Sequence, residues 1–214
     1  MPCSGANCIV QYVPVQGGST PGGGALVGNI LHYTVHLSTQ NGNTRFITFC
    51  NHGIRVEKVE LSPEDKRRLN DNLLLYYTGV TRKSEEILSE QKDNISQRIE
   101  ILNKMKNLTA KAKAALIERA FDEFGEMLHE NWELKKKLAS RVSNPEIDGM
   151  YDVARKAGAI GGKITGAGGG GFLLLYCPKH RQDEVRQALG SLIELPFRFE
   201  HGGSKAIFNY RRNS

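Results

Sequence analysis

The stretch GGKITGAGGGGFLLLY, residues 161–176, sets four consecutive glycines directly against a run of large apolar residues. The segment FLLLYC, 172–177, predicts a β-strand. Four glycines in series cost backbone entropy when they become ordered, so a folded protein keeps them where a side chain would collide or where φ must be positive. The sequence therefore predicts that another group approaches this backbone closely.

Two kinds of group could approach this glycine loop. Consecutive N–H groups in a tight turn can form a nest for phosphate oxygens, to which Lys163 or Thr165 would add a charge or a hydroxyl. Alternatively, the loop is a tight turn that packs under a neighbouring loop and binds no ligand. The stretch has neither the GK[ST] of a Walker motif nor a helix with GxGxxG spacing after a strand. The glycines alone leave both interpretations open.

The residues from 45 onward predict an α+β fold, because helical patterns alternate with strands that could pair antiparallel. The pattern predicts a hairpin at 45–61 and a strand at 72–79 that is buried on both faces. Further elements are predicted as helices at 81–105, about 109–140, 144–158 and near 180–191, and as strands at 196–201 and 204–210. We expect the strands at 72–79 and 172–177 to share one sheet, with the helices covering one of its faces.

The clearest helix signal is NPEIDGMYDVARKAG, residues 144–158. Asn144 is an N-cap residue, Pro145 occupies the first helical position, and Gly158 comes just past the last turn. Acidic residues in the first turn and basic residues in the last also suit the helix dipole. A short helix is predicted here.

The motifs together resemble one family. The glycine stretch resembles the third conserved motif of the GHMP kinases, the superfamily of galactokinase, homoserine kinase, mevalonate kinase and phosphomevalonate kinase. The segments DNLLLYYTGVTRKSEEIL, NPEIDGMYDVARKAGAIGGK and FRFEHGGSKAIFNY are similar to its D-glycero-D-manno-heptose 7-phosphate kinase branch. The resemblance covers about 45–210 and implies that 45–214 is a ferredoxin-like GHMP kinase C-terminal domain with added helices.

The resemblance also implies a role for the glycine loop. It would face the ATP and substrate cleft and brace the nucleotide-phosphate loop of an N-terminal half. The residues implied at this cleft are Lys163, Thr165, Gly166, Ala167, Gly168, Gly169, Gly170 and Gly171. The bare backbone would then meet a phosphate site, or the loop that holds one.

The activity implied by the resemblance is that of an ATP-dependent sugar kinase. With Mg²⁺, it would transfer the γ-phosphate of ATP to the anomeric hydroxyl of a heptose 7-phosphate. The family's P-x-x-x-G-L-G-S-S loop and its catalytic aspartate would lie ahead of the first hairpin, but residues 1–44 contain no Asp or Glu. No catalytic residue is assigned, and we expect the chain to need an N-terminal half as its partner, besides a nucleotide and a sugar phosphate.

Residues 1–44 are rich in Gly, Ser, Thr, Asn and Gln and predict an irregular or degenerate segment that packs poorly. The stretch 19–37 has glycines followed by apolar residues, as a decayed phosphate loop would, but it lacks the serine pair that holds phosphate and metal. His32 and His36 lie at i and i+4, yet no third ligand follows at a recognisable spacing. No metal site is assigned.

The overall composition indicates which class of ligand the protein could bind. A formal net charge of +6 and a pI near 9.1 favour anionic ligands. The lysines of the long helices form either an anion-binding surface or a solvated outer face; they are Lys104, Lys106, Lys111, Lys113 and Lys135 to Lys137.

No window is apolar enough to span a membrane and no signal-peptide pattern is present, which predicts a cytoplasmic protein. The four cysteines lack CxxC spacing and are predicted to be free thiols.

A non-catalytic module is the competing interpretation. The ferredoxin-like topology is shared with RNA-recognition domains, and a basic chain could bind RNA or another anionic ligand. Against this, the strand FLLLYC lacks paired surface aromatics and the K/R-G-F/Y signature that stack bases. The sequence therefore argues against nucleic acid as the partner.

Overall fold

The computed structural model describes residues 8–10, 32–37, 44–50, 53–81 and 83–199 of the 214-residue chain. The strands are β1 Cys8–Val10, β2 His32–Leu37, β3 Thr44–Cys50, β4 Gly53–Val59, β5 Leu73–Tyr77, β6 Gly161–Ile164, β7 Phe172–Tyr176 and β8 Ile193–Glu194. The α-helices are α1 Pro63–Asp71, α2 Ser84–Asp93, α3 Ile99–Ile117, α4 Phe121–Lys136, α5 Pro145–Lys156 and α6 Gln182–Ala188. The predicted α+β fold is confirmed.

The second sheet has the order β6-β7-β5-β8, and every pair of neighbours is antiparallel. Helices α2 to α5 connect β5 to β6, and α6 connects β7 to β8. This β-α-β-β-α-β order, with the first and third strands in the centre, is the ferredoxin-like arrangement. As predicted, β5 and β7 share one sheet; they lie side by side in it, with Leu73 opposite Tyr176 and Tyr77 opposite Phe172.

Both faces of this sheet are covered, so the prediction that helices cover one face is wrong. On one face, Leu73 and Leu174 pack with Leu116 of α3 and Leu128 of α4. The opposite face packs against α5 and α6 through a second cluster that includes Leu74, Leu175, Ile147 and Val185. Because strand side chains alternate between faces, the continuous apolar runs of β5 and β7 supply both clusters.

The first sheet has the order β1-β2-β3-β4, and its strands are antiparallel. The predicted hairpin at 45–61 corresponds to β3 and β4. Phe46 and Val59 anchor this sheet in the core beside α3. Strands β1 and β2 and the first residue of β3, Thr44, fall within residues 1–44, where the sequence predicts an irregular segment; the rest of that segment lies outside the described residues.

The boundaries of the long helices differ from the prediction. The helix expected at 81–105 is divided into α2, a 3₁₀ turn at Ile95–Arg98 and the start of α3. The helix expected at 109–140 is broken between α3 and α4, where Arg119 has a φ of 62°. The N–H groups of Ala120 and Arg119 donate to the carbonyls of Ala115 and Leu116, which is the bonding of a Schellman motif. Arginine thus occupies the left-handed position where glycine is usual.

Helix α5 has the boundaries that its sequence predicts. The Asn144 side chain accepts a hydrogen bond from the Ile147 N–H, and Pro145 stands at the first helical position. Gly158 has a φ of 118° and ends the helix with its own Schellman bonds. The helix predicted near 180–191 is also present as α6, preceded by a 3₁₀ turn at Lys179–Arg181.

The strand predicted at 196–201 is wrong for the residues that are described. Residues 195–199 have no regular secondary structure, and the edge strand of the sheet is β8, which pairs with Tyr76 and Tyr77. Phe197 and Phe199 instead pack against the core side by side. The strand predicted at 204–210 lies outside the described residues.

Helix α1 was not predicted, although its start carries a capping signal. The Ser62 hydroxyl accepts a hydrogen bond from the Asp65 N–H at 3.0 Å and donates to the Asp65 carboxylate at 2.7 Å. The same carboxylate accepts from Arg119 at 2.9 Å. This buried carboxylate therefore connects α1 to the turn between α3 and α4, and it provides a partner for the arginine in the left-handed position.

We expect this connection to make the stability of the fold sensitive to acid. The hydrogen bond from Ser62, together with Arg119, holds the pKa of Asp65 below its ordinary value. A carboxylate with a lowered pKa in the folded state stabilises the protein above its unfolded pKa and loses that contribution as the pH falls through the folded value. Urea unfolding between pH 6 and pH 2 should therefore show a weaker pH dependence for D65N than for the wild type.

The matched control is D152N, which changes an exposed carboxylate on α5. The control should keep the wild-type pH profile. A D65N protein whose unfolding free energy falls with pH as steeply as the wild type would contradict the prediction.

Candidate functional site

The glycine loop lies between β6 and β7, at one end of the second sheet. Its backbone is held almost throughout in a region that only glycine adopts without strain. The φ angles are 72° at Gly166, 109° at Gly168, 75° at Gly169, 147° at Gly170 and 90° at Gly171. Of the two reasons for glycine that the sequence offers, the need for positive φ therefore applies to these five residues.

Two neighbouring segments approach the loop backbone closely, as the sequence predicts. A Cβ placed on Gly168 would stand 2.8 Å from the carbonyl oxygen of Val142, in the connection between α4 and α5. A Cβ placed on Gly170 would stand 2.3 Å from the carbonyl oxygen of Val80, just after β5. The same two carbonyls accept the N–H groups of Gly169 and Gly171, each at 2.7 Å. The loop is therefore clamped at two points.

Thr78 joins the end of β5 to the loop a third time. Its N–H and its hydroxyl both donate to the carbonyl of Gly171 at 2.9 Å. The hydroxyl also accepts from the N–H of Val80 at 3.2 Å. Buried Thr78 thus fixes both the loop and the segment that clamps it.

Part of the loop keeps hydrogen-bonding capacity. Among the described residues, no acceptor is bonded to the N–H groups of Gly166, Ala167, Gly168 or Gly170. Gly166 is exposed and Ala167 is half-buried, so this portion is open to solvent. At Gly169 and Gly171 the loop is hydrogen-bonded to the neighbouring segments. Its other N–H groups remain available as donors, and several such donors in one loop can bind an anion.

The two polar side chains predicted at the loop have different surroundings. Thr165 is half-buried, and its N–H donates to the carbonyl of Phe172 at 2.9 Å. Lys163 has none of its surface exposed and stands opposite Leu174, on the sheet face that packs against α3 and α4. Its ammonium group therefore lies in the core and not on the surface of the loop.

Lys135 is a site residue that the sequence assigned to the outer helix surface. The residue is 3% exposed, and its Nζ donates to the carbonyl of Gly166 at 2.6 Å. A signal was available, because Phe121, Phe124, Leu128, Asn131, Lys135 and Leu138 alternate three- and four-residue spacings and are all buried. Lys135 continues this spacing, so it lies on the same helix face as the apolar residues of the stripe.

Other lysines of this surface meet carboxylates in the structure. Lys113 pairs with Glu57 at 2.9 Å and lies over the ring of Phe46, and Lys136 pairs with Glu133 at 2.8 Å. Lys137 is exposed. The charges of Lys113 and Lys136 are therefore partly neutralised by these carboxylates.

The described residues offer no dense cluster of metal-binding side chains. They contain no cluster of three or more His, Cys, Asp or Glu side chains that could hold a metal. The loop 163–171 and its clamping residues Val80 and Val142 carry no carboxylate. His32 and His36 lie on β2, where the rise of a strand separates their backbones by about 13 Å. No step of the chemistry is assigned to a metal held by these residues.

The end of the sheet also carries an aromatic pair that the sequence of β7 alone does not reveal. The rings of Tyr77 and Phe172 stand opposite each other on β5 and β7, with centroids 5.6 Å apart, and Phe172 is 38% exposed.

Cys177, which follows β7, is a buried free thiol, and burial raises its pKa to about 11. The thiol is therefore protonated at neutral pH and is no candidate nucleophile.

Comparison with known proteins places these features in a family context. Residues 112–194 match the family described as GHMP kinases C terminal. The chain is 28% identical, over 151 residues, to a D-glycero-alpha-D-manno-heptose 7-phosphate kinase from Campylobacter jejuni; the match covers 69% of this chain and 44% of that enzyme. It is similar in structure to a D-glycero-D-manno-heptose 1-phosphate kinase from Bacteroides thetaiotaomicron, with a TM-score of 0.54, 26% identity, and coverage of 75% and 43% of the two chains.

The chain is also similar in structure to part of a second solved protein. A sugar kinase from Campylobacter jejuni has a TM-score of 0.55 and 25% identity, with coverage of 75% of this chain and 46% of that one. The chain thus spans less than half the length of each of these relatives. Among its described residues, no helix is both long and apolar enough to cross a membrane.

Proposed function

Because the chain carries a GHMP kinase C-terminal domain over residues 112–194, we propose that it forms one wall of an ATP-dependent sugar-kinase site. The other wall would be an N-terminal half that supplies the nucleotide-phosphate loop and the catalytic aspartate. The proposed reaction is transfer of the γ-phosphate of ATP to the anomeric hydroxyl of a heptose 7-phosphate. The name of the Campylobacter relative supports this choice of sugar.

The observation that carries the proposal is the clamped loop with open donors. The N–H groups of Gly166, Ala167 and Gly168 have no acceptor among the described residues, while Gly169 and Gly171 are bonded to the neighbouring carbonyls. A rigid backbone that presents several N–H groups can stabilise phosphate oxygens without reorganising during the reaction. Phosphoryl transfer depends chiefly on such positioning and charge stabilisation.

The described residues leave the remaining roles to the other wall. None of the loop residues 163–171 is a carboxylate or a histidine, and Lys163, the amine among them, is buried in the core. Mg²⁺ would neutralise charge between the phosphates, and its ligands would come from the nucleotide and the N-terminal half. We therefore expect the chain to bind ATP weakly on its own.

The test compares ADP release by the purified 214-residue chain with release by a chimera that adds the N-terminal half of the Campylobacter enzyme. We expect no turnover by the chain above the no-enzyme rate and clear turnover by the chimera. Each protein is assayed with heptose 7-phosphate, mevalonate, fucose and galactose, and the N-terminal half alone is the control. A chimera that folds but is inactive on all four, or a chain that matches the chimera, would refute the proposal.

A further inference from the structure

The proposed function leaves Lys135 without a role. It is a buried cation on α4, and it is bonded to the part of the glycine loop that keeps free donors. We propose that Lys135 is a positioning residue for phosphate binding, which orients the peptide between Gly166 and Ala167 so that its N–H faces the ligand. The inference rests on the proposed function for the identity of the natural ligand, but not for the binding of a phosphate chain.

The geometry of the peptide gives the direction of this N–H. The described backbone has no cis peptide bond, and in a trans peptide the carbonyl and the N–H point in opposite directions. The Gly166 carbonyl is directed at Lys135 Nζ, 2.6 Å away. The N–H of Ala167 belongs to the same peptide, so it points away from the buried lysine, next to the exposed Gly166.

The hydrogen bond is needed because the loop backbone could otherwise rotate. Gly166 has a φ of 72°, and a Cβ placed on it would meet nothing within 4 Å. Packing therefore does not fix this residue, in contrast to Gly168 and Gly170, which are held by Val142 and Val80. Glycine with open space around it can adopt several conformations. The bond from Lys135 is the contact that selects one of them.

The charge of Lys135 contributes in the same direction. A buried ammonium group acts through a medium of lower effective dielectric constant than water, so its field at the loop is less screened than that of an exposed lysine. A hydrogen bond from a charged donor also polarises the peptide that accepts it, which strengthens the N–H of Ala167 as a donor. Both effects favour an anion over a neutral ligand at the exposed side of the loop.

Lys135 could also stabilise α4 simply as a positive charge near the C-terminal end of a helix. Lys135 lies in the last turn of α4, where a cation interacts favourably with the helix dipole. Lys137 is the C-cap residue of the same helix but is exposed. Comparing substitutions of these two lysines therefore separates a general effect of charge at the helix end from the specific contact with Gly166.

The first experiment titrates the 214-residue chain with sodium tripolyphosphate and follows backbone amide signals by NMR. In the wild type and in K137M we expect shifts centred on Ala167 and Gly168. In K135M the affinity should fall about tenfold, since a charge-assisted hydrogen bond is lost and the peptide is no longer held. The Ala167 and Gly168 amides of free K135M should also show increased fast motion. Equal affinity in K135M and K137M would overturn the proposal, as would the absence of wild-type shifts at the loop.

The second experiment measures the kinetics of the chimera. K135M should raise KM for ATP about tenfold relative to K137M while KM for the sugar stays within about twofold, because only phosphate positioning is disturbed. Equal losses for both substrates would contradict a positioning role. If the chimera is inactive with every variant, the proposed function fails while the titration still decides the role of Lys135. Should K135M not fold, K135Q replaces it in both experiments.

Discussion

Replacing Gly170 with valine is expected to reduce kcat/KM of the kinase chimera by about 100-fold or more, since small displacements of positioning groups have effects of this size. The φ of 147° at Gly170 is strained for any residue with a side chain, and the new Cβ would lie 2.3 Å from the carbonyl oxygen of Val80. That contact is with backbone, so no side-chain rotation relieves it. The loop must move away from Val80, and the hydrogen bond from Gly171 to Val80 is lost.

The control for this variant is G190A, because a Cβ at Gly190 would have its nearest contact at 3.4 Å, with the carbonyl oxygen of Gln187. G190A should retain the kcat/KM of the parent chimera. Thermal unfolding of each variant separates loss of the loop from loss of the fold. A folded G170V chimera with more than a tenth of the parent kcat/KM would show that the loop does not position phosphate.

Replacing Gly161 with alanine should lower the free energy of unfolding by about 3 kcal/mol, the upper part of the usual range for overpacking. A Cβ on this first residue of β6 would stand 1.9 Å from the carbonyl oxygen of Gly125 and 2.9 Å from the backbone nitrogen of His129. Both contacts belong to the backbone of α4. The strand and the helix would have to separate, which would open the core beneath the loop.

The matched control is G149A on α5, where a Cβ would meet nothing within 4 Å. Alanine is a better helix former than glycine, so G149A should stabilise the protein by about 0.5–1 kcal/mol. Urea unfolding followed by fluorescence reports both changes, because the chain has a single tryptophan, Trp132, and it is fully buried. Coincident unfolding curves for G161A and the wild type would contradict the predicted clash.

The two helix ends at Gly158 and Arg119 show what the sequence could predict about the fold. Both adopt the left-handed conformation and both close a Schellman motif. The end at Gly158 was predicted because glycine marks that conformation, whereas arginine at 119 gave no such mark. The break between α3 and α4 was therefore missed. Its stabilising partner, Asp65, lies 54 residues away in the chain, which no local pattern can reveal.

The candidate site likewise has one part that the sequence predicted and one part that it did not. The close approach of other groups to the glycine loop was predicted, because a run of glycines indicates positions where side chains do not fit. The groups that clamp it were not predicted, because Val80 and Val142 contribute carbonyl oxygens that every residue type possesses. The burial of Lys135 was not predicted, because a lysine in the run Lys135 to Lys137 is typical of a solvated helix surface. Its bond to Gly166 depends on tertiary packing between α4 and the loop.

The central position of β5 has a consequence for the order of events during synthesis. Strand β5 leaves the ribosome about 95 residues before its neighbour β7, which takes about 5–20 s at ordinary elongation rates. The other neighbour, β8, is made later still. During this interval the sequence LLLYY has no partner for either of its edges within the second sheet, and unpaired apolar strands are prone to aggregate. We therefore expect the aggregation risk of the nascent chain to be greatest between the completion of β5 and the arrival of β7.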